Sequence, residues 1–194
     1  MATPPTFTVG QVLTAAQMNA VGLWRITTCT VTSAGGTAAT ASNGVITVGT
    51  GNTSVTISNA FSADYDSYRI VFQGGSSSAG ANLSFQLSGI TSASYQQYGY
   101  YGAWGTAGLN AYAPAAGTTW GDICPTQSPY SWQMDIHSPF LAAAKYGKTI
   151  GWSNAGIHEL SLRCSATTSA TGFLIAPLSG TISGGTLRVY GYRN

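Results

Sequence analysis

Hydrophobic side chains recur at every second position along much of this chain. In residues 81–87, Leu83, Phe85 and Leu87 alternate with Asn82, Ser84 and Gln86. Residues 67–73 place Tyr68, Ile70 and Phe72 on one face, with Arg69 and Gln73 on the other. Residues 131–137 set Trp132, Met134 and Ile136 against Gln133, Asp135 and His137. Residues 157–164 set Leu160, Leu162 and Cys164 against Glu159, Ser161 and Arg163. This is the pattern of half-buried antiparallel strands, one face packed and one wet. Fainter strands are expected at 26–32, 44–48 and 54–58. Near the C-terminus, residues 180–183 and 186–190 flank Gly184-Gly185, a pair able to take the positive φ angles of a primed turn. That spacing predicts a hairpin. About eight short strands separated by Gly, Ser and Thr turns predict an all-β fold. The expected architecture is an antiparallel two-sheet sandwich, jelly-roll-like, over residues 26–194. No repeat of about 20 to 50 residues points to a solenoid or propeller. A short helix is expected at 140–145, and residues 105–129 give no readable pattern.

The first 25 residues follow a different pattern. Thr14 suits an N-cap, and Gln17 three residues later completes a capping box. Leu13 before the cap and Met18 at the fourth helical position are spaced as a hydrophobic staple, and Gly22 supplies a left-handed stop. A helix of two turns is far below the roughly 12 residues that hold together alone in water, so it must dock on something. Residues 1–25 are therefore expected to form an anchoring arm, with Leu13, Thr14, Gln17 and Met18 as the anchoring residues.

Composition narrows the class. Only 6% of the residues are charged, with 7 Lys and Arg against 5 Asp and Glu. Ordinary soluble domains carry about 25%. Seven scattered cations cannot track a phosphate backbone, so nucleic acid is not an expected partner. No apolar run approaches the roughly 20 residues of a membrane span, and the start lacks the pattern of a secretory signal. The surface must be wetted by Ser, Thr, Asn, Gln and Tyr, which suits a protein held in an assembly. Cys29, Cys124 and Cys164 are odd in number, widely spaced and without a C-x-x-C pair. Reduced, buried thiols are expected, as in a protein assembled in a reducing cytoplasm.

Catalytic chemistry finds little to work with. The carboxylates are Asp64, Asp66, Asp122, Asp135 and Glu159. A glycosidase needs two of them facing across a cleft. Asp135 and Glu159 fall on the wet faces of strands, where cross-strand polar pairing is their expected role. Asp64-Tyr65-Asp66 reads as the turn before the strand at Tyr68 rather than as a calcium site. His137 and His158 lack a second histidine at ligand spacing, so neither a metal nor a cofactor is expected.

The concentrated feature is aromatic. Tyr95-Gln96-Gln97-Tyr98-Gly99-Tyr100-Tyr101-Gly102-Ala103-Trp104 gathers rings among glycines and amides, and Tyr112 and Trp120 follow. Rigid amphipathic rings beside amides suit a surface that binds glycan or receptor, with Tyr95, Tyr98, Tyr101 and Trp104 as candidate contacts. Strands are rich in aromatics for packing reasons too, and such rings also pack between subunits. Both readings stay open at this level.

The arm carries a family resemblance. Phe7-Thr8-Val9-Gly10-Gln11-Val12-Leu13-Thr14-Ala15-Ala16-Gln17-Met18-Asn19 resembles the opening segment of tail proteins of tailed bacteriophages, especially those infecting actinobacteria. Tyr65-Asp66-Ser67-Tyr68-Arg69-Ile70-Val71 and Gly184-Gly185-Thr186-Leu187-Arg188-Val189-Tyr190-Gly191 are similar to parts of their β-rich distal domains. The chain departs from the pattern at Gln11, where an acid is common. It also lacks a coiled-coil or collagen-like stalk, which favours a compact knob over a long fibre. The resemblance implies a non-enzymatic virion structural protein, a homotrimeric tail fibre tip or receptor-binding knob. Its arm would be held by other virion proteins, and its sandwich would meet host cell-surface glycan. The alternative is a head decoration or head-fibre protein packed on the capsid.

Overall fold

Each strong run of alternation forms a strand, and the strands build two antiparallel sheets. The computed structural model describes residues 10, 22–112, 116–125 and 129–192. In chain order the strands are β1 (Leu23–Arg25), β2 (Thr30–Ala34), β3 (Thr40–Ser42), β4 (Val45–Thr47), β5 (Ser54–Ser58) and β6 (Ser67–Ser77). Then come β7 (Leu83–Leu87), β8 (Tyr95–Ala103), β9 (Asn110–Tyr112), β10 (Trp120–Cys124) and β11 (Tyr130–His137). The last are β12 (Lys145–Trp152), β13 (Gly156–Cys164), β14 (Phe173–Pro177), β15 (Ile182–Ser183) and β16 (Thr186–Tyr192). The large sheet runs β3-β4-β16-β6-β11-β12-β13-β8-β9, with β1 added on β16 and β15 on β6; the small sheet runs β10-β7-β14-β5-β2.

The sheets pack face to face. Phe85 and Phe173 of the small sheet stack at 4.7 Å, and Phe85 meets Trp132 of the large sheet edge-on at 6.4 Å. Trp132 in turn stacks on Phe72. Tyr68, Ile70, Phe72, Met134, Ile136, Leu160 and Leu162 are buried in one cluster with Leu83, Phe85 and Leu87. These are the positions that the alternation assigns to the packed face.

Several expectations are corrected. The segment 180–190 is not a hairpin. Ile182 pairs with Ser77 and Thr186 with Gln73, so both flanks lie in one register along β6. Gly184 and Gly185 do have φ values of 67° and 90°. Gly185 there serves a close approach: a Cβ on it would sit 2.7 Å from Phe72 Cζ and 2.8 Å from the Gly75 nitrogen. Residues 140–144 form a turn and bends, not a helix, and Lys145 opens β12. The strand expected at 26–32 instead spans Thr30–Ala34, and the unreadable stretch 105–129 contains β9 and β10. Leu23–Arg25, counted in the arm, pair with β16 as an edge strand. The capped helix and its anchoring residues Leu13, Thr14, Gln17 and Met18 lie outside the described residues. Cys29, Cys124 and Cys164 are free and buried.

Candidate functional site

Direct register across the large sheet places side chains in rows on its outer face. One row reads Arg25, Tyr190, Arg69, Asp135, Lys148, Ser161, Tyr98. Beside it runs Tyr192, Ser67, His137, Tyr146, Arg163, Gln96. On its other side runs Arg188, Val71, Gln133, Ile150, Glu159, Tyr100. Arg25, Arg69, Lys148, Arg163 and Arg188, out of 7 basic residues in the chain, are thus gathered on one surface. Strands β2, β5, β7 and β14 of the opposite sheet carry no charged residue.

Ion pairing neutralises the middle of this face. Arg69 grips Asp135 through Nε at 2.8 Å and Nη2 at 2.7 Å, and Lys148 Nζ lies 2.5 Å from a Glu159 oxygen. The Asp135 hydrogen bonds hold Arg69 above its ordinary pKa. This matches the cross-strand polar pairing expected of Asp135 and Glu159.

The edge of the face at β12, β13 and β8 is built differently. An open groove of about 290 Å³ lies there, lined by Gln96, Tyr98, Tyr146, Ser161 and Arg163 together with Gln97 and Leu162. Tyr98 and Tyr146 are 57% and 53% exposed. Arg163 Nη1 donates to Gln96 Oε1 at 2.7 Å, fixing the guanidinium against a neutral amide. The floor is held from inside. Trp120 is fully buried, and its Nε1 donates to both Gln96 O at 3.1 Å and Arg163 O at 3.0 Å. One indole therefore clamps the two paired strands beneath the groove. Replacing Trp120 with Phe leaves two buried carbonyls without that donor and should cost about 1–3 kcal/mol, read by urea denaturation.

The sequence-selected residues divide among separate environments. Tyr98 stands in the groove, with the Tyr100 ring 6.5 Å away. Tyr101 projects to the inner side, where its ring meets His158 at 5.8 Å. His158 in turn contacts Asp122 O through Nδ1 at 2.8 Å. Trp104 lies past the end of β8, 59% exposed, its Nε1 donating to Ser153 O at 2.7 Å. Six residues of strand separate it from Tyr98, roughly 20 Å.

Tyr95 is corrected as a contact residue. It is 1% exposed, its hydroxyl donates to Ile90 O at 2.9 Å and accepts from Leu87 N, and its ring packs edge-on against Trp120. Burial raises its pKa. Alternation along β8 accounts for this, because Tyr95 and Tyr98 have opposite phase. Tyr146, Arg163 and Gln96 were not selected from sequence. Cross-strand register, which no single segment carries, brings them to Tyr98.

No protein-family model matches the chain, and the search of curated proteins finds no match. Among solved structures it is similar to domain 4 of AbnA, a GH43 extracellular arabinanase from Geobacillus stearothermophilus, in complex with arabinotriose. The identity is 10% over 85% of this chain and 82% of that one, with a TM-score of 0.33.

Proposed function

We propose that this chain is a non-enzymatic virion structural protein of a tailed bacteriophage, a tail-associated fibre tip or receptor-binding knob that contacts host cell-surface glycan. The carrying observation is the outer face of β12, β13 and β8. There exposed Tyr98, Tyr100, Tyr146 and Trp152 stand on rigid strands beside Gln96 and Arg163. Flat rings that lose little entropy, next to planar hydrogen-bonding groups, suit the apolar faces and hydroxyls of sugars.

The strand order supports a jelly-roll-like sandwich within this reading. In the order β4, β5, β6, β7, β10, β11, β14, β16, strands β4-β16-β6-β11 lie in one sheet and β5-β14-β7-β10 in the other. The N-terminal helix would anchor the knob on other virion proteins, and a homotrimer would multiply weak sites into avidity.

The test is binding of the purified full chain to actinobacterial cell envelopes. The double variant Tyr98→Ala/Tyr146→Ala is expected to lose at least tenfold in binding with an unchanged melting temperature. Binding at the original strength would overturn the glycan-contact reading. Immunogold labelling of particles at the head would favour the decoration protein instead.

A further inference from the structure

We infer that the groove between Tyr98 and Tyr146 takes a negatively charged saccharide, with Arg163 receiving its anionic group; this rests on the glycan-contact reading above. Among the described residues, Arg69 is matched by Asp135 and Lys148 by Glu159. Arg163 has no carboxylate within ion-pair distance, and its side-chain partner is the neutral Gln96 amide. Its register neighbours, Tyr146 and Gln96, are uncharged, as are Ser161 on the strand and Ser165 just past its end. The groove therefore carries one uncompensated positive charge. Only one of the guanidinium's five N–H donors is committed to Gln96, so a forked pair remains for a carboxylate or a phosphodiester. Lysine would supply the charge without the fork.

Shape agrees with charge. At about 290 Å³ the groove lies at the small end of ligand sites, which run from about 300 Å³ upward. That size suits one sugar unit of a longer polymer. Tyr98 and Tyr146 supply the rings that would line that unit, while Arg163 and Gln96 define the end where its acidic substituent sits. Two sources share this chemistry: uronic-acid polysaccharides and phosphodiester-linked wall polymers.

The test is calorimetric titration of the full chain with hexagalacturonate, poly(glycerol phosphate) and maltohexaose. At least one of the two anionic probes is expected to bind tenfold or more tightly than maltohexaose, and which one binds identifies the source. Arg163→Gln should bring that probe down to the neutral level, Arg163→Lys should retain part of the difference, and Tyr98→Ala should weaken the same binding. Equal binding of neutral and anionic probes, unchanged in Arg163→Gln, overturns the anion inference and leaves the glycan reading standing. Polyglutamate serves as the anionic control without sugar, and binding that survives Tyr98→Ala and is matched by it overturns the inference as plain ion exchange. Failure of all three probes with envelope binding intact overturns this inference alone; loss of envelope binding as well overturns both.

Discussion

Gly99→Ala is expected to destabilise the protein by more than about 3 kcal/mol, the range kept for a small set of named structural faults. Gly99 points inward from β8, opposite Leu160 of β13. A Cβ there would lie 2.8 Å from Leu160 Cα and closer still to the Glu159 carbonyl oxygen. Both are backbone atoms, so no rotamer change relieves the clash. The remaining response is to push β8 away from β13. That separation would break the ladder that sets Tyr98 beside Ser161 and Gln96 beside Arg163. Stability and envelope binding should therefore fall together, measured by urea denaturation and by the envelope assay. Gly121→Ala is the matched control. Its Cβ would meet only Gln97 Nε2, at 3.9 Å, and it should stay within about 0.5 kcal/mol of the parent. Equal melting of the Gly99 and Gly121 variants would refute the close approach.

The same geometry explains what alternation along the sequence could and could not reveal. Strands β6, β7, β11 and β13 bury ordinary apolar side chains at alternate positions, so residues such as Tyr68, Phe85, Trp132 and Leu160 were legible as core. Strand β12 reverses the expectation. Its inward positions are Lys145, Gly147, Thr149 and Gly151, while Tyr146, Ile150 and Trp152 face outward. A periodicity rule looks for hydrophobic residues inside and finds none. The inversion has a physical cause, since β10 crosses directly over Gly151. A Cβ on Gly151 would lie 2.7 Å from Cys124 Cα. Backbone fills the space where a side chain would otherwise pack. Strand β8 behaves alike, with Gln97 and Gly99 inside and Tyr98 and Tyr100 outside. The candidate groove thus arises where two strands with small or polar interiors flank β13 and turn their aromatics to water. From sequence the aromatic cluster was visible, but its division between core and surface was not. Gly184-Gly185 is a related case: the need for positive φ was legible, but the partner strand was not.

The second large effect concerns Lys145, whose side chain is fully buried with no ion-pair partner among the described residues. Its Nζ donates to Ala143 O at 2.7 Å, Ala166 O at 3.0 Å and Thr168 O at 2.5 Å. Three ammonium hydrogens thus meet three loop carbonyls and tie the segments on either side of β12 and β13 together. Lys145→Met keeps the length and removes the donors, and should cost about 3 kcal/mol at pH 7 from unsatisfied carbonyls. Alkaline titration separates this role from simple packing. Burial pushes the Lys145 pKa below its ordinary value of 10.5, with Cys164 opposing the shift. Between its folded and unfolded pKa values the unfolded chain binds more protons, so the Lys145 contribution to stability rises with pH. Burial also pushes the Cys29 and Cys124 thiols up, from 9.0 to about 11 and about 12. Buried Tyr68, Tyr95 and Tyr130 shift upward for the same reason. For all of these the folded chain keeps a proton that the unfolded chain has lost. Their contribution to stability is complete below pH 9 and is lost as the pH climbs through the folded values. Lys145 partly offsets that loss in the parent. Urea midpoints measured at neutral pH and across the alkaline range should therefore drop more steeply in Lys145→Met. An unchanged neutral midpoint would show that the buried ammonium does not hold these loops, and a shallower alkaline decline would show that the fold raises the Lys145 pKa rather than lowering it.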